Sequence, residues 1–119
     1  MARAALRKRS RHLNDYLLVM REHDLLGEED ARAYLNQACL GSQAARRALI
    51  EACLPLVVHW ASRFRGGVLT FSSLLEAGNL ALLQAIAEAE RQPVEGTLLG
   101  FLQARVELSL QSALAAQGN

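Results

Sequence analysis

The residues of this chain that could do chemistry are few, and their spacing argues against most of what they could do. His12, His23 and His59 are scattered. None forms the i, i+4 pair that would set two imidazoles on one helix face for a zinc ion. Cys39 and Cys53 lack Cys-x-x-Cys spacing. Two isolated thiols in Ala/Leu-rich surroundings are expected to be small buried packing residues of a protein from a reducing cytoplasm. Ser72 and Ser73 have no His and acid in an arrangement that would activate a nucleophile. Asp15, Glu51 and Glu76 are isolated carboxylates and read as solvated charges. No Gly-rich phosphate loop follows a strand. An enzyme, a metal and a cofactor are therefore not expected, and attention passes to residues that make contacts.

Charge is one such signal. Residues 1–13 hold Arg3, Arg7, Lys8, Arg9 and Arg11 and no acid. Residues 14–119 hold eight basic and twelve acidic side chains, so the net charge of +1 is a basic arm on a mildly acidic body. A domain that grips nucleic acid carries a basic face. Here direct contact with DNA would fall to the arm, although a solubilising first turn of helix is the preferred reading of it.

The elements that position these residues are helical. Hydrophobic residues make up 51% of the 119 and charged residues 21%, which excludes a disordered chain; aromatics are only 5%. Ala and Leu dominate, β-branched residues are few, and an all-α fold follows. The length suits one compact domain, residues 14–119, behind the arm of residues 1–13. No apolar run approaches the roughly 20 residues that cross a bilayer. The charged N-terminus has no apolar segment behind it, so a secretory signal is not expected.

Four to five helices are expected. The first covers residues 3–22, with Leu13, Tyr16, Leu17 and Met20 as its apolar side chains. The second opens on an acidic turn, Glu28, Glu29 and Asp30, which complements the helix dipole, and closes at Gly41. Ser42 caps the third, which runs to Gly66 and Gly67 and which Pro55 should kink or split near Cys53–Leu54. Thr70 caps the fourth, ending near Glu90. Thr97 caps the last, ending near Ala116.

The fourth helix has two apolar faces. At 100° per residue, Phe71, Leu74, Leu75, Gly78, Leu82, Ile86 and Ala89 share one of them. Gly78 lies at its middle, where a missing side chain allows a neighbouring helix to come close. The opposite face carries Ser73, Glu76, Ala77, Leu80, Leu83, Gln84 and Ala87. It is too apolar for a free surface and too interrupted for a full core. Packing on both sides within the domain, a homo-oligomer seam and a partner-docking face all fit it.

The order of motifs in residues 49–90 resembles region two of the bacterial sigma factors, which direct RNA polymerase to promoters. The matching residues are Leu49-Ile50-Glu51-Ala52, Leu56-Val57-Val58, Arg63-Phe64-Arg65-Gly66, Phe71, Gly78-Asn79 and Leu82. Upstream, "DYLLVMREHDLLGEEDARAYLNQACLGSQAARRALIEA" is similar to the segment preceding region two in primary-type sigma factors. The likeness spans roughly residues 14–108 and implies a sigma-region-two-like helical bundle.

It also implies a partner. In that family the Gly-Asn helix docks on the clamp helices of the polymerase's largest subunit. Carried over, the docking residues would be Ser73, Glu76, Ala77, Asn79, Leu80, Leu83, Gln84 and Ala87. Ser73 stands where the family usually has Asp, Glu76-Ala77 replaces Gln-Glu, and Leu83 replaces Met. Polar contacts are thinned and apolar ones kept. The last helix departs further. Leu99, Leu102 and Gln103 occupy positions where sigma factors carry base-capturing aromatics. Only Arg105 keeps a basic position, and Glu107 beside it is acidic. The family's helix-turn-helix domain is not found in residues up to Asn119.

Taken together, these features lead to the expectation of an accessory or split sigma-like subunit bound to core polymerase, with little DNA chemistry of its own. A sigma mimic engaging a sigma regulator, a module paired with a second sigma-like subunit, and a homo-oligomeric module without polymerase contact are the other readings; a promoter-specific sigma factor comes after them, disfavoured by the missing aromatics and the acidic body.

Overall fold

The computed structural model describes residues 26–118. Within them the chain forms four helices and no strand: α1 is Glu28–Cys39, α2 Gln43–Ala61, α3 Phe71–Arg91 and α4 Leu98–Gly118. A short 3-10 turn, Ser62–Phe64, continues from α2. The fold is the expected all-α compact bundle. The expected helix over residues 3–22 and the basic arm lie outside the described residues.

Helix starts follow the sequence closely. The Ser42 hydroxyl accepts from the Ala45 N–H at 3.0 Å, Thr70 from Ser73 at 3.1 Å and Thr97 from Gly100 at 3.0 Å. Each bond satisfies a backbone donor that a helix end leaves without a partner. Helix α1 stops in a Schellman motif. Gly41 takes φ 104°, its N–H reaches Ala38 O at 2.9 Å, and the Ser42 N–H reaches Gln37 O at 3.0 Å.

One expectation is narrowed here and another corrected. Of the kink or split expected at Pro55 the split does not occur, since α2 is continuous from Gln43 to Ala61. Proline removes a single backbone bond, whereas Cys53, Leu56, Val57 and Trp60 are buried on both sides of it, so core packing holds the two halves in one helix. The helix then ends at Ala61, ahead of the two glycines. Cys39 is not a buried packing residue: it is exposed at the end of α1, and its thiol points to the Glu90 carbonyl at 3.7 Å. Cys53 is fully buried as expected, and burial pushes its thiol up to about 12, so it stays protonated and packs as a small apolar group.

All four helices contribute to one core. Leu49, Val57, Leu74, Leu82 and Ile86 are fully buried. Along α4 the buried side chains come at every fourth residue, Leu98, Leu102, Val106 and Leu110. No helix of the described residues is long and apolar enough to cross a membrane.

Two carboxylates tie the helices together. The Glu28 carboxylate accepts the backbone N–H groups of Leu98 at 2.6 Å and Leu99 at 3.0 Å, so the first residue of α1 caps the start of α4. Arg32 holds it from the side, donating to Glu28 at 2.9 Å and to the Gly96 carbonyl at 2.7 Å. Glu90, near the end of α3, accepts two bonds of 2.7 Å from Arg46 of α2. Burial raises the Glu28 carboxyl, but the Leu99 and Leu98 amides and Arg32 outweigh it and leave the group below its ordinary range. Arg46 does the same for Glu90.

A carboxylate whose folded pKa is depressed contributes stability above its unfolded pKa and loses it as pH falls through the folded value. Glu28→Ala is therefore expected to lower unfolding free energy at pH 7 by about 1–2 kcal/mol, the usual cost of an N-cap. Urea melts of both proteins should converge as pH falls through the depressed folded value, below the ordinary carboxylate range, because the native carboxylate is then protonated as well.

Candidate protein-docking face

Helix α3 is held in one rotational setting by what it buries. Leu74, Gly78, Leu82, Ile86 and Ala89 are buried as the helical spacing predicts, and Phe71 and Leu75 are half-buried. Ala81 and Ala85 are buried too, against α4, which widens the inner face beyond the expected stripe. Gly78 is the tightest point. A Cβ there would stand 2.9 Å from Val57 Cγ1 of α2 and 3.5 Å from Val106 Cγ1 of α4. The absent side chain is what lets both helices reach α3 at the same level.

The opposite side is open. Ser73, Glu76, Leu80, Leu83, Gln84 and Ala87 are exposed, while Ala77 and Asn79 are half-buried at its margins. Leu80 is 57% and Leu83 45% exposed, so this face is not packed within the domain. The eight residues thus lie on one side of one helix. Ser73 contributes least, because its Oγ accepts from the Thr70 hydroxyl at 3.0 Å and belongs to the cap.

One contributor was not visible from α3 alone. Leu108 of α4 is 58% exposed and lines a shallow groove of about 330 Å³ between α3 and α4, together with Gln84, Glu88 and Arg105. The signal for it lay in α4 itself, whose apolar residues fall on every side. A helix of that kind cannot bury all of them against a single core.

The nucleic-acid candidates are arranged differently. Arg105 donates to Glu88 at 2.8 Å and its guanidinium lies 4.9 Å over the Phe101 ring. Arg63 donates to Glu107 at 2.9 Å, and Arg65 lies 5.3 Å over Phe71. Leu102 is fully buried, Leu99 and Gln103 are half-buried, and Trp60 is 5% exposed. Among the described residues these rings are buried or covered by a guanidinium, whereas stacking on bases needs open π-faces beside free positive charge. Arg3, Arg7, Lys8, Arg9 and Arg11 lie outside the described residues. The geometry therefore offers an apolar, sparsely charged surface on α3, while Arg63 and Arg105 are paired with carboxylates of α4 and α3. No model of a known protein family matches the chain.

Gly78→Ala tests the setting of α3. Alanine gains about 1 kcal/mol of helix propensity, but overpacking a filled core costs about 1–3 kcal/mol. Val57 is stiff and fully buried, so it has little room to yield. The variant should melt several degrees lower by circular dichroism. Combined with Val57→Ala, which removes the opposing methyl, it should lose less than the sum of the two single changes.

Proposed function

We propose that this protein is a transcription-associated binding module that docks on the clamp helices of the RNA polymerase largest subunit, as an accessory or split sigma-like subunit. The observation that carries the reading is the exposed row on α3, with Leu80 and Leu83 at its centre. It falls on the helix to which the sigma-region-two resemblance assigns polymerase contact. Two leucines about half exposed, flanked by Glu76, Asn79, Gln84 and Ala87, suit a coiled-coil surface. Such a surface offers apolar ridges for the leucines and polar groups for the rim.

The state of α4 supports the second half of the reading. Arg105 is engaged by Glu88 and Phe101, and the positions that would hold base-capturing rings carry Leu99, Leu102 and Gln103. Promoter recognition would then come from another chain, and this one would supply protein contact.

Co-purification with core RNA polymerase tests the docking. The native protein should be retained at low salt. Leu80→Asp and Leu83→Asp should each weaken retention about tenfold or more while leaving the circular dichroism melt within a degree or two, since both side chains are outside the core. Absence of native binding to core at low salt would remove the reading.

DNA binding gives a second check. Affinity for fork-junction DNA should be weak, fall steeply with salt and disappear when residues 1–13 are deleted. Tight binding that survives the deletion would mean that α4 reads DNA after all.

A further inference from the structure

The exposed stripe of α3 has an internal order. From its N-terminal end it runs Glu76, Leu80, Leu83, Gln84, Ala87 and Arg91, all of them exposed. An acid stands at one end, a base at the other, and the apolar side chains lie between. Consider this stripe laid on a copy of itself with the helices antiparallel and a two-fold axis between positions 83 and 84. Glu76 and Arg91 are then equally far from the axis, so each Glu76 meets the Arg91 of the other copy. Leu80 and Ala87 are also equally far, so a large side chain faces a small one on both sides. Leu83 and Gln84 meet at the centre. A parallel overlay has the opposite outcome, setting Glu76 on Glu76 and Arg91 on Arg91.

We infer that α3 forms the seam of a homodimer, antiparallel on α3 of a second copy in this register. A two-fold interface must be complementary to itself, and this stripe is so in charge and in side-chain size at once. The seam is short. Twenty-one residues of helix extend about 30 Å, and the exposed Leu108 of α4 widens the face only on one flank. Two helices in contact over that length bury less than the roughly 800 Å² per partner of a standard stable interface. The dimer therefore forms at micromolar concentrations and dissociates on dilution.

The seam uses the residues proposed to dock on polymerase, so a dimer would keep them covered until the chain separates. That consequence rests on the docking reading; the seam itself does not.

Sedimentation equilibrium of the full chain from about 5 to 500 µM at low salt tests the seam. The native mass should rise from monomer toward dimer. Glu76→Arg and Arg91→Glu should each weaken association about tenfold, since each removes two cross-seam pairs and creates like-charge contacts. The double reversal should return to within about threefold of native, because it restores both pairs with signs exchanged. Melting curves establish that the variants are folded. A native mass that stays monomeric throughout overturns the seam. So does association that the single reversals leave unchanged, or that the double reversal fails to restore. The core-polymerase pull-down reads docking separately: loss of core binding leaves a measured dimer standing, and a monomeric mass leaves core binding standing.

Discussion

Helices α2 and α4 approach the middle of α3 so closely that no side chain fits at position 78, where a Cβ would lie 2.9 Å from Val57 and 3.5 Å from Val106. Glycine inside a helix is about 1 kcal/mol less favourable than alanine. Here that loss is outweighed by packing that brings Val57, Val106 and Leu110 onto one level of α3. The contact also fixes the rotation of α3. With Gly78 and Leu82 turned inward, a position half a turn away must face solvent, and this is where Leu80 stands. Exposure of the leucine row is thus the geometric counterpart of the close packing on the other side.

Charged groups reinforce the same arrangement. Glu28 joins α1 to α4, Arg46 joins α2 to α3 through Glu90, Arg63 joins the 3-10 turn to α4 through Glu107, and Arg105 joins α4 to α3 through Glu88. Pairs as exposed as Arg63 and Arg105 add little to stability. Their consequence is for binding. Arg105, held by Glu88 and stacked over Phe101, must break both contacts before it meets a phosphate, and Arg63 must break its bond to Glu107. Arg63 and Arg105 thereby act as fasteners between elements, while the outer side of α3 keeps two exposed leucines, Leu80 and Leu83.

Much of this was legible in the sequence because it depends on local rules. The three hydroxyl caps, the Gly41 stop and the inward face of α3 follow from residue type and a 3.6-residue period. The failures are all tertiary. Glu28 reads as a residue serving its own helix dipole, yet its carboxylate bonds backbone amides about 70 positions away. Pro55 leaves a kink or a split open, and burial on both sides of the proline keeps the helix continuous. Cys39 reads as buried from its apolar neighbours, although the end of α1 carries it to the surface. Leu108 could not be placed, because a helix with leucine on every side has no preferred face until its neighbours choose one.

The contrast between α3 and α4 bears on what such a surface can recognise. On α3 a row of exposed leucines stands opposite the buried face, and this outward row carries an acid near its start and a base at its end, so a partner helix can be read in both register and direction. On α4 the buried residues recur every fourth position, which advances the buried line by about 40° at each step. The line winds round the helix and leaves no single straight edge for a partner to follow. A straight, charge-marked stripe favours alignment with another helix, whereas a winding one suits attachment to the protein's own core. If the chain docks as proposed, that division gives recognition to α3 and support to α4, in keeping with the engagement of Arg105 within the fold.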